Sequence, residues 1–212
     1  MNVYRPFIDD PRDIARFDGR RYVVLRPNGA LPDVHGRLRS LLEPHLARGD
    51  ASFPAHAHVT LSGFPKGTPL ESVRDVVAQW ARSVDPLRLE IERAGYFPAP
   101  FQIVMLQIRK TTELAAAMAS LRARAKQRGL DDEGSIPASD WIFHMSLAYC
   151  SSLRSPEWAV LTEFVDGVSV PAAHCVVGDV EIVAFDNGQE YSGGSFELSA
   201  SVVPSVSVPD GN

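Results

Sequence analysis

Short runs of hydrophobic residues follow two different periods along this chain, one typical of strands and one typical of helices. In some runs every second residue is apolar, which places the apolar side chains on one face of a strand. In others the apolar residues recur every three or four positions, as they do on one face of a helix. Strands are predicted at residues 21–26, 56–64, 87–92, 101–108, 141–149, 175–177, 180–185 and 196–198. Helices are predicted at residues 33–42, 68–81, 111–128 and 155–165.

Two of the helix starts carry capping signals. Residues 68–71 read Thr-Pro-Leu-Glu, which predicts a capping box with proline in the first turn. The next helix is predicted to begin at Thr111 or Thr112 and to stop at Gly129. We expect both helices to cover a sheet with their apolar faces.

Two tetrapeptides in different halves of the chain are near copies of each other. Residues 58–61 read His-Val-Thr-Leu and residues 144–147 read His-Met-Ser-Leu. On a strand, each histidine shares a face with the hydroxyl residue two positions later. Histidine can donate or accept a proton near neutral pH, and a hydroxyl can hold a phosphate oxygen. Two such pairs facing each other across a groove predict a metal-free site for phosphodiester chemistry.

The order of the elements predicts the fold class. Each motif strand has a helix before and after it, and the two motifs lie about half a chain length apart. We therefore expect an α+β fold of two similar lobes, mostly antiparallel sheet flanked by helices, around a central cleft. Residues 1–20 are expected to form an irregular extension, residues 21–199 a single bilobal domain, and residues 200–212 a flexible tail.

The composition of the chain restricts its cellular compartment and the class of ligand that it can bind. The 212-residue chain has a formal net charge of −5, which argues against coating long nucleic acid, since that requires neutralising many phosphates. Its first residues are rich in charge and contain no apolar stretch, which argues against a signal peptide, and no stretch approaches the length of a membrane span. Cys150 and Cys175 give no disulfide pattern. We expect a cytoplasmic protein, a monomer, that acts on a small phosphorylated ligand or an RNA end.

The paired motifs resemble the H-x-[ST]-x signatures of the two-histidine (2H) phosphoesterase superfamily, which includes 2′-5′ RNA ligase-like proteins and cyclic phosphodiesterases. The resemblance implies a bilobal α+β fold with pseudo-two-fold symmetry and no metal or other cofactor. It implies that His58 and His144 are the catalytic pair and that Thr60 and Ser146 bind the substrate phosphate. The implied activity is metal-independent hydrolysis of a cyclic phosphate or a 2′-5′ phosphodiester of a nucleotide or RNA end, with ligation as the reverse reaction.

Two other interpretations of the same residues stay open. The cleft could belong to a non-catalytic module that binds nucleotides or RNA ends, although a degenerate binder would more often have lost one motif. Alternatively, His56 and His58 form an H-x-H pair that could hold a metal in a cupin-like enzyme, but no pattern supplies further ligands. Which of His58 and His144 is the base is not assigned, because the two motifs are chemically equivalent.

Several residues outside the motifs are secondary candidates. His45 continues the apolar face of the helix at 33–42 and is expected to be a partly buried structural residue. His35 and His174 have no partner pattern and are expected to be structural or exposed. Candidates for a basic rim of the cleft are Lys66, Arg109, Lys110 and Arg154. Candidates for stacking on a nucleobase are Tyr96, Phe97, Phe101 and Tyr149, of which Tyr149 is expected in the core.

Overall fold

The computed structural model of the chain describes residues 15, 17–46, 51–54, 56–130 and 136–199. Most of the predicted N-terminal extension and the whole predicted tail at 200–212 therefore lie outside the described residues. The elements with described bounds are β1 (Arg21–Leu25), α1 (Leu31–Leu42), a 3₁₀ turn (Glu43–His45), β2 (Val59–Phe64), α2 (Leu70–Ala81), β3 (Leu87–Phe97), β4 (Ile103–Ile108), α3 (Thr112–Gln127), β5 (His144–Tyr149), α4 (Ser155–Asp166), β6 (His174–Val177), β7 (Asp179–Asp186) and β8 (Gln189–Glu197). Among them, no helix combines the length and the apolarity that a membrane crossing requires.

The strands form two four-stranded sheets, and every pairing within them is antiparallel. The first sheet has the order β2-β1-β7-β8 and the second has the order β5-β4-β3-β6. Each contains a β-α-β-α unit, β1-α1-β2-α2 in the first lobe and β4-α3-β5-α4 in the second. In both units the motif strand is the edge of its sheet and pairs with the strand that begins the unit. The α+β, two-lobed fold expected from the sequence is confirmed.

One continuous apolar core joins the two lobes. Buried residues of both sheets and of all four helices belong to the same cluster. At the contact between α2 and α3, Trp80 is fully buried, and its indole Nε1 donates to the carbonyl oxygen of Ala117 at 3.1 Å and to Ser120 Oγ at 2.9 Å. Burial of the ring with its N–H satisfied fixes the two helices against each other. The core and this contact therefore join the two lobes.

The capping prediction is right for one helix and wrong for the other. At α3, the Thr111 hydroxyl accepts a hydrogen bond from the Leu114 amide at 3.1 Å, as expected of an N-cap. At α2, the N-cap residue is Pro69, and the Thr68 hydroxyl instead donates to the carbonyl oxygen of Pro65 at 2.7 Å. The preceding turn therefore uses the hydroxyl that the capping box would have needed.

Two strands are longer than the sequence pattern predicted. Strand β3 runs on to Phe97. The sequence pattern missed its second half because a shift of register near Ile91 interrupts the alternation of apolar and polar residues. Strand β8 has nine residues, and its Gly- and Ser-rich sequence conceals it. The signal for β8 was the turn before it, since Asn187 (φ 51°) and Gly188 (φ 75°) form a two-residue hairpin connection with both residues in the left-handed region.

Candidate active site

A cavity of about 270 Å³ lies between the two sheets and is lined from both lobes. All four residues singled out by the motifs line it: His58 and Thr60 from the first lobe, and His144 and Ser146 from the second. The other lining residues are Phe17, Tyr22, Phe97, Phe101, Ile103, Ile136, Asp140, Trp141, Ile142, Tyr149, Val183 and Phe185. The structure thus brings the two sequence motifs to one site.

Both motif strands carry a β-bulge at the same motif position, the leucine. In the first lobe Thr60 pairs with Val24 and the next paired residue is Ser62, so Leu61 is the extra residue. In the second lobe Ser146 pairs with Met105 and the next paired residue is Ala148, so Leu147 is the extra residue. A bulge bends its strand and changes the face on which later side chains lie. The alternation that places the histidine and the hydroxyl in the cavity therefore ends directly after the hydroxyl.

The bulges explain two errors of the sequence-based face assignment. Tyr149 was expected in the core but lines the cavity, whereas Ala148 is buried in the main core. A strict alternation would place Ser62 on the face of His58 and Thr60, but Ser62 is buried and does not line the cavity. A strict period of two cannot hold across an inserted residue.

The two motif histidines are oriented in the same way by the main chain. The Nδ1–H of His58 donates to the carbonyl oxygen of His56 at 3.2 Å, and that of His144 donates to the carbonyl oxygen of Ile142 at 2.8 Å. A carbonyl can only accept, so these bonds fix the proton on Nδ1 in the neutral ring. Nε2 is then the atom that can accept a proton from a ligand. The Phe97 ring supports His144 further, edge to face at a centroid distance of 4.9 Å.

Burial keeps both imidazoles neutral. Removal of water around the ring, with a further contribution from the positive charge of Arg26, lowers the pKa of His58 to about 3. Desolvation also lowers the pKa of His144, and the hydrogen bond to Ile142 opposes that effect. At neutral pH and without a ligand, both rings are therefore proton acceptors at Nε2.

The Arg26 guanidinium near His58 is held by two glutamates of neighbouring strands. Its Nε lies 2.7 Å from Glu181 Oε2, and its Nη2 is paired with Glu190, which is completely buried. Arg26 follows β1, and the two glutamates lie on β7 and β8. Sequence reasoning missed this group because Arg26 is more than 150 residues from either glutamate in the chain.

His35 is a second residue that sequence reasoning did not place at the site. It is 6% exposed on α1, and its Nε2–H donates to the carbonyl oxygen of Ser146 at 2.8 Å. Strand β5 is a sheet edge, so this carbonyl has no neighbouring strand on that side. A side chain on a helix of the first lobe thereby donates the hydrogen bond that a carbonyl oxygen of the second lobe's motif strand needs. The available signal was position, since His35 lies on the buried face of α1 that Leu31 and Leu38 also form.

The four candidates for a basic rim do not lie at this cavity. None of the four candidates is among the lining residues, and each has a partner elsewhere. Their partners are Asp18 for Lys66, Glu90 for Arg109, the carbonyl oxygens of Ala138 and Ser139 for Lys110, and Glu157 for Arg154. Of the aromatic candidates, Phe97, Phe101 and Tyr149 line the cavity, whereas Tyr96 contacts Trp158 and Asp166 instead.

The metal interpretation of the H-x-H pair finds no support in the arrangement of side chains. His56 is exposed and does not line the cavity. Across the described parts of the chain, no three His, Cys, Asp or Glu side chains lie close enough together to hold a metal ion. A binuclear or mononuclear centre would need such a group.

Comparison with known proteins identifies the family. Residues 56–189 match the model of the 2′-5′ RNA ligase superfamily, while no curated protein matches the chain by sequence. TT0787 of Thermus thermophilus is similar in structure at 17% identity and a TM-score of 0.61, over 86% of this chain and 99% of that one. E. coli LigT in complex with 3′-AMP is similar at 15% identity and a TM-score of 0.59, over 85% of this chain and 98% of LigT. The MHV ns2 PDE domain is similar at 12% identity and a TM-score of 0.52, over 78% and 99%.

The matched segment contains both motif strands and most of the described fold. LigT has also been solved with NADP⁺, with ATP and with phosphate. At these identities the structural likeness establishes the fold, and the family match covers more than half of the chain. This chain therefore belongs to the 2′-5′ RNA ligase superfamily of 2H phosphoesterases and has the two-sheet fold seen in LigT and TT0787.

Proposed function

We propose that this protein is a metal-independent phosphodiesterase that hydrolyses a cyclic phosphate or a 2′-5′ phosphodiester of a nucleotide or RNA end. The observation that carries the proposal is the matched pair of motifs around one cavity, each with a histidine whose Nε2 is left for a ligand. The nucleotides in the LigT structures and the PDE designation of the ns2 domain support a nucleotide phosphodiester as the substrate.

In the proposed reaction one neutral histidine accepts a proton from water at Nε2 as the water oxygen attacks phosphorus. The other histidine, protonated at Nε2, donates its proton to the departing ribose oxygen as the P–O bond breaks. The hydroxyls of Thr60 and Ser146 donate hydrogen bonds to the non-bridging oxygens, where negative charge grows in the transition state. Neither hydroxyl is bonded to another described side chain, so both remain available to the phosphate.

The charges near the two rings favour one assignment of roles. Arg26 disfavours the protonated form of His58, whereas among the described residues desolvation alone lowers the pKa of His144. We therefore assign His58 as the base and His144 as the acid. Binding of the negatively charged phosphodiester raises the pKa of His144, so that His144 takes up from solvent the proton that it lacks in the empty site. Histidine resonances followed by NMR should show His144 titrating at a higher pH than His58; the reverse order would contradict the assignment.

The test compares turnover of four substrates with chelator present. They are a 2′,3′-cyclic mononucleotide, an RNA with a cyclic phosphate end, 2′-5′-linked oligoadenylate and ADP-ribose 1″,2″-cyclic phosphate. We expect His58→Ala and His144→Ala each to lower kcat by about 10²–10⁴-fold, the contribution of one general acid or base. Thr60→Val and Ser146→Ala should lower it less, because each removes one hydrogen bond to the transition state.

His56→Ala is the matched control, because His56 is an exposed histidine two residues from His58. It should keep wild-type turnover, since its carbonyl oxygen remains. Unchanged turnover in a folded His58 or His144 variant would reject the proposed role of that residue. Tight nucleotide binding with no turnover by the wild-type protein would favour the binding-module alternative.

Both lowered pKa values also predict an acidic pH optimum. The reactive form has one ring protonated and one neutral, so its population is greatest between the two pKa values of the free enzyme. Since both lie below the ordinary value of 6.5, kcat/KM should peak below that pH. The kcat profile should lie at higher pH, because bound phosphate stabilises the imidazolium. A flat profile between pH 5 and 8 would contradict the acid–base scheme.

We further propose that residues 21–199 form one domain that acts as a monomer in the cytoplasm. The backbone of Ser199 is still tied to Ala81 by a hydrogen bond of 3.1 Å, which supports the end of the domain near that residue. Cys150 and Cys175 are buried and form no disulfide, as expected in a reducing compartment. Light scattering of the full chain should give the mass of a single copy.

A further inference from the structure

Exposed hydrophobic side chains are concentrated around the mouth of the cavity. Among the described residues six large hydrophobic side chains are exposed, and three of them line the cavity: Phe101 at 46%, Ile136 at 52% and Ile142 at 40%. Trp141 lies between the two isoleucines in the chain and also lines the cavity. We call these four residues the apolar rim. Exposed apolar groups around a cleft mark a surface that a ligand covers.

Two cations beside the apolar rim hold its backbone in place. Arg122 Nη1 donates to the carbonyl oxygen of Ile136 at 2.6 Å, and the guanidinium lies 4.5 Å from the centre of the Trp141 ring. Lys110 Nζ donates to the carbonyl oxygens of Ala138 and Ser139 at 2.7 and 2.6 Å. These contacts fix the loop that contributes most of the apolar rim. The apolar rim is therefore preorganised in the absence of a ligand.

The charges of the cavity lining are unusual for a site that would grip RNA. No lysine or arginine is among the described lining residues, and the one acidic residue there is Asp140. Both histidines are held neutral in the empty site. One phosphate can be met by the two motifs. Within the cavity, a further phosphate of an RNA strand would meet apolar or acidic side chains. The two cations beside the rim, Arg122 and Lys110, are already bonded to carbonyl oxygens of the rim loop.

We propose that the substrate is a small phosphodiester carrying a single phosphate, whose nucleobase lies on the apolar rim, and that the site discriminates against RNA strands. This inference rests on the proposed phosphodiesterase function and narrows its substrate. The aromatic rings of Phe101 and Trp141 offer flat surfaces on which any base can stack. The motifs hold the phosphate at the bottom of the cavity, and the rim holds the base at its mouth.

The experiment compares kcat/KM for a 2′,3′-cyclic mononucleotide and for a hexanucleotide that ends in the same nucleoside cyclic phosphate, at low and at moderate salt. We expect the wild-type protein to favour the mononucleotide by at least about tenfold, with little dependence on salt. Phe101→Lys and Ile136→Lys should raise KM for the mononucleotide. They should also improve use of the hexanucleotide at low salt, with a new dependence on salt of up to about 0.7 in log–log slope per added phosphate contact.

Val160→Lys is the matched control. Val160 is 64% exposed on α4 and is not a lining residue, so the same change of charge should leave the preference unchanged. A wild-type preference for the hexanucleotide with a steep salt dependence would overturn the inference while leaving the phosphodiesterase proposal intact. If neither substrate reacts, hydrolysis of 2′,3′-cyclic phosphates is rejected, and calorimetric binding of the 3′-nucleotide against a 3′-phosphorylated hexanucleotide still ranks the two ligand classes. Equal or tighter binding of the hexanucleotide would then overturn the inference.

Discussion

The hydrogen bond from His35 to the edge of β5 predicts a measurable loss of stability when its donor is removed. In His35→Leu the carbonyl oxygen of Ser146, in a residue only 6% exposed, keeps its burial and loses its partner at 2.8 Å. An unsatisfied buried acceptor costs about 1–3 kcal/mol. For a protein of this size each kcal/mol corresponds to about 2–4 °C, so the melting temperature should fall by about 2–12 °C.

His35→Gln separates the hydrogen bond from the packing. A glutamine amide can place an N–H near the position of the imidazole Nε2, so this variant should recover part of the lost stability. It should also recover kcat, because β5 carries Ser146 and His144 and depends on this bond for its position. His174→Leu is the control, since His174 is an exposed histidine on β6. Thermal unfolding and steady-state kinetics measure the two effects. Equal stability of the Leu and Gln variants would refute the reasoning, as would a Leu variant as stable as wild type.

Three further predictions concern stability. Because burial lowers the pKa of three histidines, the unfolded chain binds protons below pH 6.5 that the folded chain does not. The contribution of the neutral histidines to the free energy of unfolding is therefore fully present above that pH. It falls on acidification by up to about 1.4 kcal/mol per pH unit for each histidine. Equal free energies of urea unfolding at pH 5 and 7 would contradict this. Gly193→Ala should cost about 1–3 kcal/mol, because the added Cβ would lie 2.8 Å from Ile182 Cγ2, whereas Gly178→Ala, with nothing within 4 Å, should be nearly neutral. Gly36→Ala, on the exposed face of α1, should add about 0.5–1 kcal/mol in the same assay.

The parts of the site that the sequence predicts are those set by local periodicity. His58 with Thr60 and His144 with Ser146 share faces because each pair lies before a bulge, where a period of two still holds. Tyr149 lies after the bulge at Leu147, and its predicted burial in the core is wrong for that reason. No feature of either leucine distinguishes a bulged from a regular strand, so the register could be known only from the paired strands.

The parts that the sequence does not predict depend on contacts between distant segments. Arg26 meets Glu181 and Glu190 only because β1, β7 and β8 are neighbours in one sheet. His35 has the periodicity of a core residue, and nothing in the sequence indicates that its partner is a carbonyl of the other lobe. Strand β8 could have been predicted in part, since Asn187 and Gly188 are a strong hairpin signal. Long-range pairing of this kind requires knowledge of the strand order.

The acceptors that set the tautomer of both motif histidines are main-chain oxygens, at His56 and Ile142. Every amino acid supplies that oxygen, so its chemistry cannot be deleted by exchanging one residue for another. This frees the two positions to drift, and they indeed hold unlike residues, one polar and one aliphatic, at corresponding places in the two halves. A protein that orients imidazoles with carboxylates can lose the required tautomer by a single substitution, whereas here the tautomer changes only if the path of the loop changes.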